Sequence, residues 1–583
     1  MINNLKRLWL HVTPHRRKQF NLLLVLMVIA SFSEVVSLGA VLPFLSVLTA
    51  PERVFEHTLA QPIIQALDIS KPQQLLLPLA IAFSIAAMFS GIMRLTLLWA
   101  QTRLSHAVGA DLSISMYRRT LYQPYAVHVE LNSSEIIAAI SKKSNEVLNF
   151  ALIPCVVILS TSLMAFTIFF TLFAIEPTVA LSAFIGFSTI YLVIIKSSKK
   201  RLEKHSQRIS LEQNKVIKAL QEGLGGIRDV LIDGAQEIYC KVYRSADLPL
   251  RHAQADIAII SGSPKYIVES LGMILIAMLA FFIVQREGNY SSAIPIIGAL
   301  ALGAQRLLPL LQQLYVGVSA IRGSQASLKD TLDLLDQPIL EHLDDPFPEP
   351  IPFQHSIKLN KLAFRYNTQT PWILKGLDLT IPRGSRVGFI GDTGSGKSTL
   401  FDIMMGLLQQ TKGTMLIDDQ PITKKNYRAW QAHIAHVPQV IFLSDASIAE
   451  NIAFGVPLEL IDFDRVREAA KKAKISQTVE SWDKQYSTKV GERGVRLSGG
   501  QRQRIGIARA LYKQADVIVL DEATSALDND TESAVMESIN SIDEEITVLI
   551  VAHRLSTLKG CCQIVELSSR VIKRIGTYKE IIG

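Results

Sequence analysis

Two short stretches carry residues whose types and spacing suit phosphoryl chemistry. In SRVGFIGDTGSGKSTL, Gly391, Gly396, Lys397 and Ser398 stand in the order G-x4-G-K-S between an apolar run and a helical one. Glycines at these places let the N–H groups of Gly394, Ser395, Gly396, Lys397 and Ser398 turn inward around phosphate oxygens, and the helix start beyond them adds a favourable dipole. Lys397 then reaches the β- and γ-phosphates and Ser398 binds Mg2+, with Asp392, Thr393 and Thr399 completing the loop. The second stretch, ADVIVLDEATSALD, is an apolar strand that ends in Asp521 and Glu522. Asp521 is placed to hold Mg2+ through water and Glu522 to polarise the attacking water. A surface acidic pair that merely caps a helix would not need a buried strand to deliver it.

Between these lies VRLSGGQRQRIGIARAL, in which Leu497, Ser498, Gly499, Gly500 and Gln501 open another helix whose N-terminus suits an anion. With all three stretches in this order, the chain resembles the ATP-binding cassette (ABC) transporters, and does so over essentially its whole length. The resemblance implies further roles. Tyr366 in LAFRYNTQ matches the aromatic that stacks on adenine, and Gln439 in AHVPQVIF matches the glutamine that senses the γ-phosphate and Mg2+. Glu492 in TKVGERG matches a loop beside the coupling helices, Asp528 in SALD the loop that crosses the dimer interface, and His553 in VLIVAHRLS the switch histidine. It also implies that the signature residues 497–501 serve the nucleotide of a second cassette. One cassette and six spans make a half-transporter, so a homodimer with two sandwiched ATP molecules is expected.

The elements that must position these residues fall into two classes. From 353 onward, short β-rich runs alternate with helical ones, the pattern of an α/β domain. Residues 336–352, DQPILEHLDDPFPEPIP, switch to proline and acid and read as a linker. Residues 1–335 hold six apolar runs long enough to cross ~30 Å of hydrocarbon, near 20–47, 75–100, 148–174, 178–196, 259–284 and 291–321. The expected fold is therefore an α-helical six-span transmembrane domain of the ABC exporter type fused to an α/β P-loop nucleotide-binding domain. The long loops after the second and fourth spans are helical in pattern, with breaks at LYQPYAVHVELNSSE and EGLGGIRDVLIDG, so the membrane helices should extend well beyond the bilayer. A short helix at each break is placed to meet the soluble domain.

Charge decides orientation. Lys and Arg number five in the N-terminal arm, five in 101–147 and eleven in 197–258, against two, none and one in the alternate connections. That asymmetry puts both termini in the cytoplasm. It also explains the net charge of +8 as topology, which excludes a nucleic-acid partner as the reason for it. A mean hydropathy of +0.26 is too high for an ordinary soluble enzyme. The four cysteines show no C-x-x-C spacing, so neither a disulfide framework nor a zinc site is indicated. The basic N-terminal stretch precedes a long apolar run without a cleavage site, which reads as a retained span.

Charges inside the apolar runs bear on what is moved. Arg306 in ALGAQRLLPLL, Arg94 in FSGIMRLTLLWA and Lys265 in SGSPKYIVESLG are candidate cavity residues, while Glu34 and Glu269 also interrupt apolar stretches. A charge there costs about 3 kcal/mol and faces a cavity or another charge. Internal pairing of Lys265 with Glu269, one turn away, is weighed equally with a cavity role, and Arg94 and Lys265, near the cytoplasmic ends, also read as side chains that snorkel to the interface. Two copies of three cations suit an anionic headgroup such as phosphate or pyrophosphate. The segments SFSEVVSLGAVLPFLSVL, SPKYIVESLG and QRLLP look similar to flippases of lipid-linked oligosaccharides, which carry an external amphipathic helix; ERVFEHTLAQPIIQAL (52–67) reads either as its counterpart here or, almost equally, as an ordinary structured loop. The expected substrate is an anionic lipid-linked glycan moved across a bacterial cytoplasmic membrane among its lipids. A general lipid, drug or peptide exporter is the alternative, and an ATP-gated channel a more remote one.

Overall fold

The computed structural model describes residues 2–49, 51–56, 61–66, 69–130, 133–175, 177–287, 290–338, 348–522, 530, 532–533, 536–537, 545–551 and 555–582. Contacts divide the chain into two units: 1–123 with 131–340, and 124–130 with 341–583.

The first unit is all helix. A short helix, α1 (Ile2–His11), precedes α2 (Pro14–Gly39), whose start is set by Thr13, which caps it, and by Pro14 at the first position. The remaining long helices are α3 (Leu76–Leu121), α4 (Ile153–Ile175), α5 (Pro177–Gly225), α6 (Gln236–Gly262), α7 (Pro264–Glu287) and α8 (Tyr290–Gly323), followed by α9 (Gln325–Leu335). Each of the six apolar runs is helical. Among the described residues, Pro14–Leu48, Pro72–Leu121 and Ile136–Ala174 are long and apolar enough to cross a membrane. Only 11% of the apolar window in Pro72–Leu121 is buried, a surface that water would not tolerate but lipid or another apolar surface would.

Helices α3 and α5 hold 46 and 49 residues. At 1.5 Å per residue the first is about 69 Å long, more than twice the hydrocarbon thickness, so both continue beyond the membrane. Both loop breaks form short helices, Tyr125–Glu130 and Ile227–Ile232. The first of these clusters with the second unit. The amphipathic segment 52–67 forms two short helices, Pro51–Phe55 and Gln61–Ala66, with 57–60 and 67 outside the described residues. Val54, Phe55 and Ile64 there join Val47 and Leu75 in a small apolar cluster. A larger core gathers Leu8, Met27, Val108, Met116, Ala151, Leu328 and Leu332 from α1, α2, α3, α9 and the run into α4.

The second unit is built on two sheets. One has four strands in the order β2-β1-β4-β5, where β1 is Ser356–Phe364, β2 Leu374–Pro382, β4 Lys412–Ile417 and β5 Gln420–Pro421. The other has six in the order β10-β9-β3-β8-β7-β6, with β3 at Arg386–Gly391, β6 at Ile434–Val437, β7 at Val517–Asp521, β8 at Thr547–Val551, β9 at Gln563–Ser568 and β10 at Val571–Gly576. Strands β3, β6, β7, β8 and β9 run parallel and are apolar on both faces, as a doubly covered sheet requires. Along β8, Val548 and Ile550 enter one core while Leu549 and Val551 enter the other. Burying each such side chain stabilises the fold by about 1.5–3 kcal/mol.

Candidate nucleotide site and membrane charge cluster

Strand β3 delivers the glycine-rich loop at its C-terminal end, and α10 (Lys397–Met404) follows it. Gly391 pairs with Leu567 of β9 at a φ of +149°, and a Cβ there would lie 2.1 Å from the Leu567 carbonyl oxygen. Only glycine fits. Gly394 and Gly396 also have positive φ, which turns the loop back on itself. The Lys397 amine lies along the loop, donating to the carbonyls of Gly391 (2.6 Å) and Asp392 (3.1 Å). Ser395 is buried and its hydroxyl has no hydrogen-bond partner. Asp392, Thr393 and Ser398 are exposed, and Thr399 is buried in the first turn of α10. An orphaned buried hydroxyl in an inward-curled loop at a helix start is the arrangement a phosphate completes.

Two strands away, β7 ends at Asp521. Glu522 follows in the left-handed region (φ +49°), its N–H donating to the Val551 carbonyl at 3.0 Å. Gln439, just past the neighbouring strand β6, donates from Nε2 to Glu522 Oε2 at 2.6 Å. Asp402, on the helix after the loop, has its carboxyl pushed up to about 6, first by burial and then by the Asp521 charge. The loop helix and the acidic strand end therefore converge. Ser398, Gln439 and Asp521 offer oxygen donors of the kind a hard divalent cation takes. Asp528 and His553 lie outside the described residues.

The signature helix, α11 (Gly499–Lys513), opens with a reciprocal cap: Gln501 N–H donates to Ser498 Oγ at 3.2 Å and Ser498 N–H to Gln501 Oε1 at 2.9 Å. Leu497 is buried beside it, and Gly499 and Gly500 form its first turn. Gly506 lets this helix approach the segment after Gln439 closely, since a Cβ there would sit 2.5 Å from Ile441 Cδ1. Arg509 adds a second tie, donating from Nε to the Asn451 carbonyl and from Nη2 to the Phe442 carbonyl. Glu492 stands in a single 3-10 turn, Glu492–Gly494. Tyr366, 39% exposed, packs edge-on to Phe364 with ring centroids 5.1 Å apart, leaving a face for a base.

Sequence reasoning did not single out Asp402, Arg509 or Asn451. Arg509 lies in RIGIARAL, where its only mark is that it interrupts an apolar helical stripe; Asn451 is fully buried, a rare place for asparagine, but burial is not a sequence signal.

In the membrane unit, three charges meet. Glu34 of α2 has no exposed surface and accepts from Arg94 of α3, Arg306 of α8 and, at 2.8 Å, from Ser90 Oγ. Arg306 Nη2 also donates to Ser37 Oγ at 3.3 Å. Ser90 and Arg94 are four residues apart, and Glu34 and Ser37 three, so each pair shares one helix face. Lys265 lies elsewhere, 3.9 Å from Glu269 of its own helix, with both side chains about half exposed. All four cysteines are free thiols, and burial pushes Cys561 up to about 12.

A glycine-rich loop, an acidic strand end and a bonded glutamine on a parallel sheet define a P-loop ATPase unit, here on one chain with a helical membrane unit. A family model described as "ABC transporter transmembrane region" matches residues 21–300, and one described as "ABC transporter" matches 374–525. An ATP-dependent lipid A-core flippase of Chromohalobacter salexigens is 30% identical over 69% of this chain and 68% of its own length. The heterocyst differentiation ATP-binding protein HepA of Nostoc sp. is 28% identical over 97% and 92%. A bacterial Atm1-family ABC exporter with ATP bound superposes with a TM-score of 0.81 at 21% identity, over 97% of each chain. The chain belongs to the ABC transporter family and has the exporter fold: it is a membrane protein that binds ATP and couples its hydrolysis to transport.

Proposed function

We propose that two copies of this chain form a homodimeric exporter in a bacterial inner membrane, with both termini cytoplasmic, that flips an anionic lipid-linked glycan. Residues 1–335 act as the membrane domain, 336–352 as the linker and 353–583 as the cassette. The Lys and Arg asymmetry of the connections supports the orientation. Relatives whose names say lipid A-core flippase support a bulky, anionic glycolipid class.

In the cassette, Tyr366 stacks on adenine, the loop 391–399 holds the phosphates and Leu497–Gln501 of the second copy closes over the nucleotide. Ser398, Gln439 and Asp521 hold Mg2+, which when bound neutralises phosphate charge. Glu522 takes the proton of the attacking water, His553 holds the γ-phosphate, and Asp528 and Glu492 pass the change to the other copy and to the membrane helices. The hydrogen bond from Gln439 to Glu522 supports this reading, because it ties the phosphate-sensing residue to the base.

The observation that carries the substrate class is the charge cluster. Among the described residues, two arginines share one buried carboxylate inside apolar helices, a surplus of one positive charge per copy. Protein in nanodiscs is expected to unfold at a higher temperature with a polyprenyl-pyrophosphate oligosaccharide than with the uncharged polyprenol of equal length. Equal shifts would count against a headgroup contact.

A further inference from the structure

We infer that Glu34 is an internal counter-ion that competes with the substrate's phosphate for Arg94 and Arg306, and so sets how tightly the anion is held and how readily it leaves. This rests on the anionic-lipid reading above and adds to it a residue with the opposite charge to the expected ligand.

A buried carboxylate needs one cation, and Arg306 alone would neutralise it. A second guanidinium in an apolar helix is costly, and the carboxylate does not require it. Arg94 nevertheless bonds the same group from a different helix. The cluster carries two positive charges and one negative, a surplus of one.

Exposure is arranged the same way. The Glu34 side chain is 0% exposed, whereas those of Arg94 and Arg306 are 49% and 30% exposed. Glu34 therefore sits behind the two forks rather than in front of them. Among the described residues, Arg94 spends only Nε, and Arg306 spends Nη1 on Glu34 and Nη2 on Ser37. The terminal nitrogens of Arg94 and the Nε of Arg306 keep N–H donors for an incoming oxygen. Ser90 and Ser37, both buried, hold the back of the cluster in place by bonding Glu34 and Arg306.

A phosphate bound at the front shares both arginines with Glu34. The carboxylate behind them weakens their pull on it and takes them back when it departs. Glu34→Gln keeps the shape and an accepting oxygen but raises the surplus from one to two. A unit charge a few ångströms away at the dielectric of a protein surface is worth about a tenfold change in affinity or more.

The test uses the full-length protein in proteoliposomes, titrated with a polyprenyl-pyrophosphate oligosaccharide, with lipid-stimulated ATP hydrolysis and translocation both read. Glu34→Gln is expected to lower the half-saturating lipid concentration about tenfold and to slow maximal translocation, because release is slowed. Arg94→Gln lowers the surplus to zero while leaving the Glu34–Arg306 pair, and is expected to raise half-saturation; it keeps the test decisive if Glu34→Gln does not insert. The double variant Glu34→Gln/Arg94→Gln restores a surplus of one and should return half-saturation toward wild type. A merely structural Glu34 would alter thermal stability and leave these concentrations unmoved, which would overturn the inference alone. Inorganic pyrophosphate replacing the lipid at equal concentration would overturn a lipid headgroup as the occupant. A wild type that neither responds to the lipid nor moves it would overturn the substrate reading, and this inference with it.

Discussion

The two units of this chain handle charge in opposite ways. In the cassette, the proposed phosphate site is made largely of backbone: a loop of positive-φ glycines, a helix start and a strand end present donors and carboxylates at fixed places. In the membrane unit, where the charges stand on long helices whose backbone groups bond mainly along the helix, charge is met by charge. Glu34 answers two arginines that lie 60 and 272 residues away in the chain. A site built from backbone tolerates few substitutions of its glycines and leaves a contiguous motif. A site built from side chains on three helices leaves only scattered residues.

The largest expected effect tests the cassette at the carboxylate proposed as its base. Glu522→Gln should lower ATP turnover by about 10²–10⁴-fold, the range a general base supplies, while nucleotide still binds. Steady-state hydrolysis beside a fluorescent-nucleotide titration checks both halves. Next comes the loop itself. Gly391→Ala would push a Cβ against the Leu567 carbonyl of the neighbouring strand, which cannot move without the sheet, so destabilisation of about 3 kcal/mol is expected. Wild-type unfolding temperature in that variant would show the loop to be less fixed than its geometry implies. Smaller still, Ser498→Ala removes the reciprocal cap of α11 and should cost about 1 kcal/mol in nucleotide-free protein, seen by chemical denaturation.

The last contrast is chemical and sits within two adjacent residues. Cys561 is buried with its thiol pushed up to about 12, whereas Cys562 is exposed. Raising a thiol pKa keeps it protonated, so at pH 8 Cys561 carries almost no thiolate and alkylates far more slowly than Cys562. Mass spectrometry of the native protein after brief iodoacetamide treatment reads this directly; equal labelling would contradict the burial.

Legibility in the sequence followed the same division. The six apolar runs are helices, and the breaks in both long loops are short helices, because length, periodicity and proline or glycine suffice to mark them. The loop after β3 and the acid pair after β7 were readable because consecutive residues build each of them. The charge cluster was readable only in part. Arg94, Arg306 and Glu34 each stood out as an ion in an apolar run, but that one carboxylate takes both arginines depends on how α2, α3 and α8 pack. Lys265 and Glu269 could be paired from spacing alone, since one helix holds both. Asp402 escaped notice because its high pKa arises from burial and from Asp521, which lies 119 residues further along the chain.

The most direct measurement is ATP-dependent translocation of a labelled polyprenyl-pyrophosphate oligosaccharide in proteoliposomes, with wild type, Glu522→Gln and Arg306→Ala side by side. Wild type is expected to move the lipid and both variants to fail, Glu522→Gln for want of hydrolysis and Arg306→Ala while still binding ATP. A wild type that hydrolyses ATP and moves none of the lipid would contradict the substrate assignment, as would an Arg306→Ala variant that translocates at the wild-type rate.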